Sequence, residues 1–216
     1  MNKILITCLL SFCCVFQPAM AQTDKKAQTI LEGVSKKLSS LKSIKGNFSI
    51  HLDANNGKVN ETKKGSFSMK GNKYHVILDK QEIICDGKTV WTYSKETKET
   101  QVSNYNPDEQ TISPTKLLTN FWDKEYKYRY VTDKKIGTKN CSVLELTPIN
   151  AKKQFSKVEL HVDKATNLIA SGSIWEKKGN KYDYEISNVT SNPTLQDSYF
   201  QYDAKTHPGV EVVDLR

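Results

Sequence analysis

IICDGKTVWTY, residues Ile83 to Tyr93, is the stretch that decides how the rest of the chain must fold. Asp86-Gly87 signals a two-residue hairpin, because both central positions of that turn want positive φ. The flanks break the alternation of a half-buried strand. Ile83, Ile84 and Cys85 run together, as do Val90, Trp91 and Tyr93 with only Thr92 between them. Apolar side chains therefore leave both faces of the hairpin. A sheet that is dry on both faces covers one with its own core and the other with something else. In a small exported protein, that second partner could be a ligand.

Working outward, the neighbours of this hairpin also read as strands. Phe48, Ile50 and Leu52 alternate with polar residues, Asn56-Gly57 turns the chain, and Gly65, Phe67 and Met69 line one face of the return. Gly71-Asn72 leads into Tyr74, Val76 and Leu78, and Thr100 to Tyr105 follows the opening hairpin. Strands resume at Tyr126 to Tyr130, Val143 to Thr147, Phe155 to Val162, Leu168 to Trp175, Tyr182 to Val189 and Tyr199 to Tyr202. About a dozen short strands in sequence order predict an antiparallel meander, closed or curled into a barrel. Two helices interrupt it. Ala27, Ile30, Leu31, Val34, Leu38 and Leu41 form one apolar stripe, with Thr23 or Asp24 as cap and Gly46 after its end. Ser113-Pro114 opens a short second helix carrying Leu117, Leu118, Phe121 and Trp122, which reads as a lid over an apolar surface or as a core helix.

The first 21 residues read as an export leader: Lys3, an apolar run from Ile4 to Phe16, and the small-residue pattern Ala19-Met20-Ala21. Cleavage after Ala21 would leave residues 22–216 as a single soluble domain, large enough for a substantial core. The run is too short to anchor in a bilayer, and neither Cys13 nor Cys14 follows the small residue a lipid attachment site needs. The leader takes three of the five cysteines. Cys85 and Cys141 remain, either as a disulfide or as two buried free thiols.

Formal net charge is +8, and of the 32 basic residues only Arg129 and Arg216 are arginine. Nucleic-acid readers favour arginine forks and clustered basic patches. Here lysine pairs such as Lys63-Lys64, Lys134-Lys135, Lys152-Lys153 and Lys177-Lys178 are scattered over turns and polar faces. They predict a solvated surface rather than a nucleic-acid site, with attraction to an anionic membrane left open.

No catalytic, metal or cofactor site assembles from the sequence. His51, His75, His161 and His207 stand singly, and His161-x-Asp163 lacks a third ligand. There is no nucleophile elbow and no phosphate loop. What stands out is the supply of apolar and aromatic side chains, Trp175, Tyr182 and Tyr184 among them, enough to line a hydrophobic cavity between sheet and helices. The candidate lining is Ile30, Val34 and Leu38 on the first helix; Phe48, Ile50, Leu52, Phe67, Met69, Tyr74, Val76, Ile84, Trp91 and Tyr93 on the early strands; Leu117, Leu118 and Phe121 on the short helix; and Leu144, Leu146, Val158, Leu160 and Ile174 on the later strands.

Three stretches carry a family resemblance: Asp86-Gly87-Lys88-Thr89-Val90-Trp91-x-Tyr93, the segment from Pro114 to Asn120, and Phe200-x-Tyr202 with Pro208-Gly209-Val210-x-Val212-x-Asp214. In order and spacing the chain resembles the LolA-like carriers of outer-membrane lipoproteins. The resemblance implies an unclosed barrel of about eleven antiparallel strands, covered by an N-terminal helix and lid helices, whose apolar interior takes lipoprotein acyl chains in the periplasm. It implies a monomeric carrier, not an enzyme, loaded by an inner-membrane ATP-driven release complex and unloaded by an outer-membrane acceptor. Tyr74 stands at the family's aromatic after a basic turn, and Leu117 and Leu118 in its lid. Where the best-known members have an arginine that ties the lid to backbone carbonyls, this chain has Lys70 and Lys73. The same fold would also suit another amphiphile, such as a glycolipid or polyene ester, or a lipid-triggered interaction module.

Overall fold

A computed structural model describes residues 24–54, 57–106 and 126–216. One helix, α1 (Lys25–Ser40), precedes twelve strands: β1 (Ile44–Ala54), β2 (Val59–Lys70), β3 (Lys73–Leu78), β4 (Gln81–Cys85), β5 (Thr89–Ser94), β6 (Glu99–Asn104), β7 (Tyr126–Ile136), β8 (Lys139–Pro148), β9 (Phe155–Asp163), β10 (Leu168–Glu176), β11 (Lys181–Ser191) and β12 (Glu211–Asp214). They form one sheet in the order β12-β6-β5-β4-β3-β2-β1-β11-β10-β9-β8-β7, with β12 and β7 as its two edges. The sheet is unclosed and mostly antiparallel, as the family resemblance implies, with twelve strands where that resemblance implies about eleven.

The helix begins where a carboxylate satisfies its open N–H groups. Asp24 Oδ1 accepts from the backbone N–H of Lys26 and Ala27, while Oδ2 accepts from Tyr130 N–H on β7 at 2.7 Å. One side chain thus caps the helix and fastens it to the sheet. The bond from Tyr130 N–H is the chief reason the Asp24 carboxyl is held below its ordinary range. Ala27, Leu31 and Val34 are buried against the sheet, continuous with Leu144, Leu146, Val158, Leu160, Ile174 and Ile186. Each fully buried leucine of this layer contributes roughly 2 kcal/mol of apolar transfer.

Four local expectations change. Gly46 does not follow the helix end; it lies inside β1, where a Cβ would come 2.9 Å from the Phe67 ring on β2. The hairpin after β4 turns on Gly87 and Lys88, and only Gly87 has positive φ (95°). The Asp86 carboxylate supplies the rest of that turn by accepting from Lys88 and Thr89 N–H, each at 2.8 Å. Residues 199–202 are not a strand: Asp197–Phe200 is a 3₁₀ turn, and the apparent alternation comes from Phe200 packing down while Tyr199 stays exposed. The last strand is instead β12, which runs parallel to β6. The predicted helix with Leu117, Leu118, Phe121 and Trp122, the Asn56 half of a turn and the leader lie outside the described residues.

Candidate functional site

Strand register sorts the apolar residues onto two faces. On one face Met69 pairs with Tyr74 and Phe67 with Val76, then Val76 with Ile83. The same face continues through Phe48 opposite Ile186, Ile50 opposite Tyr184 and Leu52 opposite Tyr182. It ends in Leu144 opposite Leu160 and Leu146 opposite Val158. This is the face α1 lies on. Among the sequence candidates, Val34, Phe48, Phe67, Val76, Leu144, Leu146, Val158, Leu160 and Ile174 are buried in its core cluster. Ile30, Leu38, Ile50, Met69 and Tyr74 pack half-buried against that cluster, and Leu52 is half-buried on the same face.

Large rings are laid on this floor where the neighbouring strand supplies glycine. Phe48 stands opposite Gly65, Phe67 opposite Gly46 and Tyr184 opposite Gly172. A Cβ on Gly65 would meet Phe48 Cζ at 2.5 Å, and one on Gly172 would meet the Tyr184 hydroxyl at 2.5 Å. The Tyr184 hydroxyl is buried and has no hydrogen-bond partner among the described residues, and burial pushes its ionisation up.

Ile84, Trp91 and Tyr93 are on the opposite face. His75, Ile84, Trp91 and Val102 pair across β3 to β6, as do Ile77, Glu82, Tyr93 and Thr100. The floor meanwhile turns polar across β5 and β6, through Thr92 and Gln101. The apolar side of the sheet therefore changes over at β4, which explains why Ile83, Ile84 and Cys85 are consecutive. What covers the second face is the protein's own C-terminal segment. Phe200 is fully buried, Tyr202 stacks on Trp91, and its hydroxyl is 2.9 Å from Thr100 Oγ1.

The same clasp joins residues that no sequence spacing connects. Glu82 Oε1 meets His75 Nε2 at 2.6 Å and Oε2 meets His207 Nε2 at 3.0 Å. The bond to His75 is the largest cause of a lowered Glu82 carboxyl, followed among the lowering causes by the bond to His207. His207 also stacks on Tyr202 and meets the Tyr93 ring edge-on. At the β2–β3 turn, Lys70 Nζ donates to the Leu195 carbonyl at 3.0 Å and to Asp197 at 2.8 Å, and Lys73 reaches Asp197 at 3.0 Å. Lys70 leads these contacts in holding the Asp197 carboxyl at about 2. His161 bonds Ser171 and Glu159, while Asp163 is taken up by its own turn, so the two do not form a ligand pair. Cys85 and Cys141 are buried free thiols, the second of the two readings left open by the sequence. Among the described residues, no group of three His, Cys, Asp or Glu side chains is placed to hold a metal.

Two clefts bear on ligand binding. The gap bounded by Leu38, Ile44, Phe67, Leu168, Ile169, Ile186 and Val189 measures about 10 Å³, so the helix end sits tightly on the sheet there. A cleft of about 640 Å³ at the far end of β7 and β8 is lined by Lys134, Lys135, Lys139, Lys164, Asp133 and Asp163, a setting for polar groups rather than hydrocarbon. The apolar capacity lies in the floor itself.

Among the described residues, an unclosed sheet with an apolar floor and one helix lying across it defines the class of fold. Residues 39–203 match the model of the family described as "Outer membrane lipoprotein carrier protein LolA", and the chain belongs to that family. It is 26% identical to the outer-membrane lipoprotein carrier protein of Legionella pneumophila (strain Corby), over 99% of each chain. It is 24% identical to the protein of the same description from Pasteurella multocida (strain Pm70), over 100% of this chain and 99% of the other. A crystal structure of an uncharacterized conserved protein from Thermus thermophilus shares the fold, with a TM-score of 0.59 at 15% identity, covering 87% of this chain and 98% of that one.

Proposed function

We propose that the protein is a periplasmic, non-enzymatic carrier that shields lipoprotein acyl chains against its concave face and moves them from the inner to the outer membrane. On this reading the partners are an ATP-driven release complex at the inner membrane and an acceptor at the outer one, and no metal or cofactor is needed. The observation that carries it is the apolar floor extending past the part that α1 covers, through half-buried Ile50, Met69, Tyr74, Leu78 and Ile83. Each methylene laid there gains roughly 0.8 kcal/mol, so partial shielding holds a chain without making its release prohibitive. Native mass spectrometry of protein isolated from its own periplasm tests this. Acylated protein cargo, transferable from inner-membrane vesicles, is the expected result; empty protein that accepts nothing would end the proposal.

A second reading, a carrier of a different amphiphile, is favoured by one observation. The basic turn that ties the lid in the best-known relatives is here engaged with Leu195 and Asp197 through Lys70 and Lys73. The mass of the extracted cargo separates the two readings.

A further inference from the structure

Among the described residues, the antiparallel register places five connections at one end of the sheet: the β3–β4 and β5–β6 turns, which carry Asp79 and Glu96, and, on adjoining strands of the other half, the β1–β2 turn, the β8–β9 loop and the β10–β11 turn. The last three make one continuous group. Within residues 57–58, 149–154 and 177–180 they carry Lys58, Lys152, Lys153, Lys177 and Lys178 and no Asp or Glu. Two lysine pairs that are distant in sequence thus become one patch. The loops are joined: Lys177 N–H donates to the Gln154 carbonyl at 2.8 Å and its ammonium to the Ala151 carbonyl. Ile149 projects from the same end with 57% of its surface exposed. On β10, one residue from its end, the Trp175 ring lies beneath the ammonium groups of Lys157 at 3.9 Å and Lys181 at 5.4 Å. Carboxylates attend both of these lysines: Lys157 lies 3.8 Å from Glu145 and Lys181 is 2.8 Å from Asp183, while Glu176 accepts from the Asn180 amide and Asp53 pairs in register with Lys181. The loop-tip lysines are therefore the ones left to form the patch.

We propose that this end of the barrel is a docking patch for an anionic phospholipid surface. Exposed lysines confined to loop tips reach a flat charged surface together, which lysines spread over a curved sheet cannot do. An exposed isoleucine and an indole set among ammonium groups match the layered chemistry of a bilayer interface, with charge outermost and apolar groups just beneath. An acidic protein would meet the charge and leave Ile149 in water. The patch adds a site of membrane contact to the molecule and does not depend on what the concave face carries.

The test is co-sedimentation of the full mature protein with phosphatidylcholine vesicles, with and without phosphatidylglycerol, at low and physiological salt. Binding only to the anionic vesicles, weakened by salt, is expected. Lys152→Glu combined with Lys178→Glu should weaken it by about tenfold or more, and Ile149→Ser should weaken it at unchanged net charge. Lys134→Glu with Lys135→Glu, at the other end of the strands, should retain most of it. The assignment is overturned by absence of binding to anionic vesicles, by equal losses in the two double variants, or by capture of soluble polyglutamate without vesicle binding. Circular dichroism spectra matching the wild type are the required control that these surface variants keep the fold.

Discussion

The Tyr202 ring lies parallel to the Trp91 indole, with centroids 6.4 Å apart and planes inclined by 15°. That contact resolves the hairpin that is apolar on both sides. The second face is dry because the chain returns more than a hundred residues later to cover it, and it needs no ligand there. Phe200 below and His207 above extend the same cover. The concave face of β3 and β4 is consequently left to the floor.

If the cover is structural, Phe200→Ala should cost about 3–5 kcal/mol, since a fully buried ring is replaced by a cavity. Denaturant unfolding measures this. A loss below about 1 kcal/mol would mean that the C-terminal segment does not hold the sheet.

Acid should loosen the clasp. The Glu82 carboxyl titrates below its ordinary value of 4.5 in the folded protein. Its contribution is therefore fully present above that value and is lost as pH falls through the depressed one. Asp197, held at about 2 by Lys70 and Lys73, and Asp133, held at about 2 by Lys164 and Ser142, act in the same direction. Denaturation midpoints should fall steadily on going from about pH 5 to pH 2, and Glu82→Gln should be less stable at neutral pH with a shallower acid limb. An unchanged acid limb in that variant would remove Glu82 from the account.

Tyr184 carries a buried hydroxyl with no partner among the described residues. Tyr184→Phe removes that unpaired group and should leave stability unchanged or raise it by about 1 kcal/mol. A destabilised phenylalanine variant would show that the hydroxyl is satisfied in solution. Retention of bound lipid by the same variant reports separately on whether the hydroxyl touches cargo.

Gly172→Ala should be costly in the other direction. Its Cβ would lie 2.4 Å from the Glu159 carbonyl, which is backbone and cannot swing aside, and 2.5 Å from the Tyr184 hydroxyl. A loss of about 1–3 kcal/mol is expected from thermal or denaturant unfolding. Wild-type stability would mean that β9 and β10 separate more readily than their pairing implies.

Both thiols should be slow to react while the protein is folded, because burial removes access and pushes each thiol up. Alkylation followed by peptide mass analysis should find Cys85 and Cys141 unmodified in the native protein and both modified after unfolding without reductant. A Cys85–Cys141 cross-linked peptide would contradict this.

Much of the architecture is legible locally. The α1 stripe from Ala27 to Leu38, the alternation at Phe48, Ile50 and Leu52, and the glycine-bearing turns each encode an element through neighbours in sequence. Such signals assign residues to helix or strand, but not a doubly apolar strand to one partner or another. Ile84, Trp91 and Tyr93 read as cavity wall for that reason. Tyr199 to Tyr202 reads as a strand because a segment packing onto a sheet alternates like a strand within it.

Sequence alone determined the family, the β-rich class and the hairpin that is apolar on both faces, because periodicity, turn chemistry and motif order are properties of short stretches. Tertiary structure decided which face each side chain serves. It put one glutamate between His75 and His207, gave Lys70 the Leu195 carbonyl, and merged the lysines of the β8–β9 and β10–β11 connections. These pairings depend on strand register and on the return of the C-terminal segment. Contacts across a hundred residues leave no spacing in the sequence to read.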